Sequence, residues 1–293
     1  MNKQLKEQTP DIPDSSVKKI ILYGAGGTGK STSIATTLID APANRRIVYL
    51  MTERNAVSGL EYGLQKHGIT PTPGQIVYVF PQEKKKAFVD LERAFALYEQ
   101  TSKTEALKGQ SATTQGKENY GYINKILKTL AKFTGQDFAT GETIEIGNVG
   151  DLTSSDILVI DGLSPIGNEI WNSMVGDKLA ISMTDYRPPQ RSMYLLFAAI
   201  AKLDCHVILL AHEKEVLNDS GTLDCLRVNT WVGNSNYETL MGLWTDVVYA
   251  YKQGNAFKWA GQRPKTYTIA RNIPAKDNLE PSFHTHGVFS TKQ

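Results

Sequence analysis

The sequence predicts an α/β fold built on a largely parallel β-sheet flanked by helices. Three observations carry that expectation. Short apolar runs recur along the chain: VKKIILY, RRIVYLM, QIVYVF, DILVID, HVILLAH and TDVVYAY. Helix-period stretches separate most of them, which is the rhythm of β-α-β units. A glycine-rich stretch, LYGAGGTGKST at 22–32, occupies the first strand-to-helix junction.

Taken in order, residues 1–16 are polar with two prolines and read as a flexible lead-in to one domain spanning 17–293. VKKIILY gives the first strand, and a helix runs from Lys30 to about Ile39. RRIVYLM gives the second strand, a helix covers Ala56 to Lys66, and QIVYVF gives the third strand. The segment from Lys84 to about Gln100 is periodic and helical, and its lysine run Lys84–Lys86 reads as a solvated helix start. SKTEALKGQSATTQGKEN, around 101–118, is low in hydrophobicity and reads as a polar insertion. YGYINKILKTLAKF resumes a helix. After DILVID come a helix from about Gln190 to Leu203, then HVILLAH and TDVVYAY, with KTYTIAR as the last strongly apolar strand candidate.

Composition narrows the chemistry less than it narrows the class. The 293 residues are 41% hydrophobic and carry a net charge of +2, so the chain can bury a sizeable core. That charge neither demands nor excludes nucleic acid, because a basic groove can sit on a near-neutral protein. No apolar run is long enough to span a bilayer and the first residues lack an export core, so the expected location is cytoplasmic, with no membrane partner. Cys205 and Cys225 lack metal-type spacing and read as packed thiols.

Gly24, Gly29, Lys30 and Ser31 fit G-x-x-x-x-G-K-[ST], the phosphate-binding P-loop. Its glycines let backbone N–H groups turn inward around phosphate with no Cβ in the way. The expected cradle is Gly24, Ala25, Gly26, Gly27, Thr28, Gly29, Lys30, Ser31 and Thr32. Lys30 would reach the β and γ phosphates of ATP, and Ser31 would ligate Mg2+. DILVIDGLS supplies Asp161 at a strand end, where its carboxylate completes the metal site.

The residues around these landmarks exclude several P-loop classes. Partitioning ATPases carry an extra lysine where Ala25 stands. GTPases want D-x-x-G, but Ser164 follows Asp161 by three, and AKLD at 201–204 precedes its strand. Most AAA+ motors place their catalytic glutamate directly after the aspartate, at the position of Gly162. The water-activating base must come from elsewhere. Glu53, just past RRIVYLM at the carboxyl edge of the sheet, is the candidate, with Glu61 as its rival.

Glutamate ending the second strand, Asp-Gly ending a later one and a polar residue capping the next together resemble the RecA-type ATPase core. HVILLAHEKEV is similar to single-domain bacteriophage members found with recombination and single-strand annealing systems. The resemblance covers roughly residues 17–275. It implies an ATPase of recombination, annealing or repair acting on single-stranded DNA. It also implies assembly into a ring or filament, an annealing or single-strand-binding protein as a possible partner, and host cytoplasm if phage-encoded. It assigns His212 the sensing of the γ-phosphate and its relay to a DNA-contacting loop. No family role attaches to the insertion at 101–118.

Two stretches correspond to the DNA-holding loops of such filaments: 166–192, with Trp171, Lys178, Arg187 and Arg191, and 213–239, with Trp231, Lys214 and Arg227. Bases can stack on the rings while the cations meet phosphate. Arg271 and Lys276, just beyond KTYTIAR, are the candidate cations that would complete a neighbouring subunit's site. A nucleotide-dependent switch or loader that binds a protein and touches no DNA is the alternative reading.

Overall fold

The computed structural model describes residues 17–53, 56–80, 121–175, 182–231 and 233–290. The lead-in at 1–16, the helix expected over 84–100 with its lysine run, the insertion at 101–118 and Lys178 lie outside the described residues.

The strands β1 (Lys19–Tyr23), β2 (Arg46–Met51), β3 (Ile76–Val79), β6 (Asp156–Asp161), β7 (His206–Ala211) and β10 (Asp246–Gln253) form a parallel core in the order β10-β1-β7-β6-β2-β3. At one edge β3 continues antiparallel into β4 (Phe133–Asp137) and β5 (Thr143–Gly147). At the other, β10 pairs antiparallel with β11 (Ala256–Ala260) and β12 (Ile269–Ala270). Strand β7 lies between the phosphate-loop strand β1 and the aspartate strand β6, so all three ends converge on one edge. This is the largely parallel α/β sheet flanked by helices that the sequence predicts.

Parallel strands covered on both faces read as continuous apolar runs, because neither side chain parity meets water. In β6, Leu158 and Ile160 join one buried cluster while Ile157 and Val159 join the other. The first cluster is covered by α3 (Gly121–Ala131), α4 (Leu163–Val175), α5 (Arg187–Ala201) and α6 (Asn234–Met241). The second is covered by α1 (Lys30–Ile34), α2 (Ala56–Lys66) and the chain from Phe283 to Phe289.

Four local expectations need correction. The helix after the phosphate loop is α-helical only to Ile34 and continues as a 3-10 turn over Ala35–Leu38. There Thr36 and Thr37 hydroxyls bond back to Ser33 and Ile34 carbonyls. The stretch 166–192 is helical where it begins and ends: α4 covers 166–175, burying Ile166 and Ile170, and α5 begins at Arg187. The stretch 213–239 is a separate hairpin of β8 (Glu213–Leu217) and β9 (Leu223–Val228), followed by the start of α6. KTYTIAR contributes only the two residues of β12, whereas AFKWA, unanticipated, forms β11.

Candidate nucleotide site

The phosphate loop leaves β1 at Gly24 and enters α1 at Lys30. Gly27 and Gly29 sit at φ of 72° and 79°, the left-handed region that only glycine enters without strain. The Lys30 ammonium folds over the loop, donating to the carbonyls of Gly24 at 3.0 Å and Ala25 at 2.8 Å, and to the Thr28 hydroxyl at 3.3 Å. Burial pulls its pKa down, while the charges of Asp161, Glu53 and Glu213 oppose that shift. Lys30 is therefore a cation held at the loop by weak carbonyl acceptors, which a phosphate oxygen would outcompete. Ala25, Gly26 and Gly27 are exposed at the loop's crest, while Ser31 and Thr32 are half-buried at the start of α1.

Asp161 ends β6 and is almost wholly buried. Its Oδ2 accepts from the Ser31 hydroxyl at 2.7 Å and from the Tyr49 hydroxyl at 2.6 Å. Burial raises its pKa, and the Tyr49 and Ser31 bonds hold it down. The two predicted metal residues are thus already in contact. Mg2+ prefers one or two carboxylates plus phosphate and water over an all-protein cage. One buried carboxylate beside one hydroxyl, at the foot of the loop, is a donor set of that kind.

Gly162 explains why the base cannot follow the aspartate. Its φ is +96°, and a Cβ there would lie 2.1 Å from Thr52 Oγ1. Thr52 Oγ1 donates to the carbonyls of Asp161 and Gly162, pinning the ends of β2 and β6 together. Glu53 follows Thr52 and emerges at the carboxyl edge, half-buried. Its Oε1 lies 3.0 Å from Nε2 of His212, at the end of β7. The His212 hydrogen bond holds the Glu53 carboxyl below its usual range against the opposing effect of burial. Lys30, Ser31, Asp161, Glu53 and His212 therefore gather at one strand edge. Glu61 does not: it is exposed on the second turn of α2.

Sequence reasoning missed Tyr49, Thr52 and Glu213. Tyr49 was legible only as a polar aromatic in an otherwise aliphatic strand. Glu213 lies beside Tyr249, and its Oε2 is buried with no hydrogen-bond partner among the described residues.

Trp171 and Trp231 come together, ring centroids 5.9 Å apart, and Trp171 also meets Tyr186 at 4.8 Å. Trp231 closes against Gly167, where a Cβ would lie 2.1 Å from its ring. Of the associated cations, Arg187 and Arg191 are exposed one turn apart on α5, Lys214 is exposed, and Arg227 covers the Tyr237 ring at 5.1 Å. Arg271 follows β12 at the amino end of β10, the edge opposite the phosphate loop, and Lys276 meets Gly261 backbone to backbone. Both side chains are exposed, and neither bonds to the loop among the described residues.

No protein-family model matches this chain, and no curated protein matches it. Among solved structures it is similar to the flagellar accessory protein FlaH from Methanocaldococcus jannaschii. The identity is 12%, the match covers 83% of this chain and 77% of that one, and the TM-score is 0.29. A likeness that distant says nothing of activity. No helix among the described residues is long and apolar enough to cross a membrane.

Proposed function

We propose that the chain binds ATP with Mg2+ and hydrolyses it, with nucleotide state relayed to the β8–β9 hairpin. The observation that carries this reading is the Glu53–His212 contact at the edge that also holds Lys30, Ser31 and Asp161. Glu53, kept ionised, orients and deprotonates the attacking water. Lys30 moves from the loop carbonyls to the phosphates. Ser31 and Asp161 would hold the metal, which when bound would supply positive charge against the phosphate oxygens. His212 shares Glu53 with the reaction, and β8 begins at the next residue, Glu213. Any repositioning of the imidazole by the γ-phosphate therefore acts directly on the hairpin.

The effector in this reading is single-stranded DNA, acted on in recombination, annealing or repair by an assembled form of the protein. The exposed Arg187 and Arg191 beside Tyr186 and Trp171 support it, offering cations next to aromatic faces. In such an assembly Arg271 and Lys276 would serve a neighbour's site. A second reading, a protein-binding switch, is favoured by one observation. The hairpin carries Glu213, Glu215, Asp219 and Asp224 against only Lys214 and Arg227, an excess that repels phosphate. The ATPase rate with and without single-stranded DNA, at one fixed salt concentration, decides between them. Stimulation supports the DNA reading, indifference supports the protein switch, and no hydrolysis under any condition removes both.

A further inference from the structure

We propose that Tyr49 is a positioning residue for the metal, fixing the Asp161 carboxylate against Ser31 and so setting the affinity of the loop for a divalent cation. The inference rests on the nucleotide reading above and deepens it. Residues of one parity on β2 and β6 share a face. Tyr49 is in register with Val159, Met51 is in register with Asp161, and all four side chains lie on the face covered by α1 and α2. Tyr49 and Asp161 are therefore diagonal neighbours, within reach of a long side chain. Ser31 descends on the same face from α1.

Tyr49 has no solvent exposure, and its surroundings are Ile47, Met51, Val159 and other aliphatic groups. A phenylalanine would fill that space without a hydroxyl to satisfy. The hydroxyl instead donates to Asp161 Oδ2 at 2.6 Å, the same atom that accepts from Ser31 at 2.7 Å. A carboxylate's terminal torsion is broad and roughly two-fold, so a single hydrogen bond from Ser31 leaves the group free to rock or exchange its oxygens. Two donors on one oxygen, arriving from different elements, remove that freedom. They also leave Oδ1 without a hydrogen bond among the described residues. Removing groups that orient metal ligands in this way typically costs about 10-fold to 100-fold in metal affinity.

The test is Tyr49→Phe, read by Mn2+ binding in electron paramagnetic resonance with a non-hydrolysable ATP analogue present. The expected result is Mn2+ affinity weakened by about tenfold or more, with analogue binding in excess chelator unchanged. A residue that merely packs the core would lower thermal stability and leave the Mn2+ midpoint where it was. In an Asp161→Asn background, Tyr49→Phe should weaken Mn2+ no further, because its effect passes through that carboxylate. Should Tyr49→Phe not fold, 3-fluorotyrosine at position 49 keeps the shape, and its fluorine resonance should move when Mg2+ is added to the analogue complex. An unchanged Mn2+ affinity in Tyr49→Phe, or a fluorine signal indifferent to Mg2+, overturns the proposal while leaving the nucleotide site standing. If the parent chain with analogue binds no Mn2+, the nucleotide reading itself falls, and this proposal falls with it.

Discussion

Glu53 and His212 meet at 3.0 Å, Oε1 to Nε2, from the ends of β2 and β7, two strands separated by β6. The contact joins the residue best placed to activate water to the residue that precedes the hairpin. Under the function proposed above, catalysis and signalling become parts of one hydrogen-bonded unit.

Replacing Glu53 tests the catalytic half of that unit. Glu53→Gln preserves size but cannot take a proton, so ATP binding should persist while turnover falls by roughly 10²-fold or more. Glu61→Gln, on the exposed face of α2, should keep the parent rate. Steady-state hydrolysis of both variants checks the assignment, and the opposite pattern would transfer the role to Glu61.

His212→Ala tests the other half. Loss of the imidazole removes the hydrogen bond that depresses the Glu53 pKa, so that pKa should rise toward the ordinary carboxylate range. The acid limb of the kcat/KM profile should accordingly move to higher pH. Single-stranded DNA affinity should also stop differing between ATP-analogue and ADP states. An unmoved acid limb together with an intact nucleotide-dependent difference reduces His212 to a strand-end histidine.

Lys30→Ala should abolish tight ATP binding without unfolding the chain, since among the described residues the ammonium donates only to loop carbonyls and the Thr28 hydroxyl. Calorimetric titration with ATP and a thermal melt report the two quantities separately. Parent-like affinity in this variant would remove the phosphate-loop assignment.

Gly162→Ala should destabilise the protein by at least about 2 kcal/mol, combining left-handed backbone strain with the overlap against Thr52 Oγ1. The urea midpoint measures it. A midpoint equal to the parent's would mean that the Thr52 clamp between β2 and β6 yields freely.

His206, at the amino end of β7, predicts an acid transition unrelated to catalysis. Burial, with the nearby charges of Arg45, Lys19 and Lys18, pushes its pKa down to about 4 from an ordinary 6.5. Its Nδ1 accepts from the Lys18 backbone N–H at 2.9 Å, a bond that protonation at that nitrogen destroys. Because the unfolded chain binds this proton first, stability is complete above pH 6.5. It should fall as pH drops toward 4, by about 3 kcal/mol in all. His206→Gln should flatten the dependence of Tm on pH in that window, and an equally steep dependence in the variant would place the transition elsewhere.

The apolar runs were legible because strands buried on both faces carry few polar residues, most of them at the strand ends. The phosphate loop was legible because its glycines are required by the backbone and its lysine by the ligand. The antiparallel strands β4, β5 and β11 were not, since TIEIG and AFKWA alternate weakly and owe their conformation to the edges they pair with. Nor was α4, where the polar residues of SPIGNEIWNS mask a helix whose apolar stripe is defined only by the sheet beneath it.

Sequence alone thus located the candidate site: the loop, the aspartate at the end of β6 and the glutamate past β2 are local facts, each tied to a strand end. Tertiary structure decided which of these residues touch. The insertion of β7 between β1 and β6 brings His212 to Glu53 across 159 positions of chain, and the parity of β2 and β6 brings Tyr49 to Asp161 across 112. No local pattern encodes such contacts, because they arise from strand order and register, which the whole sheet fixes together.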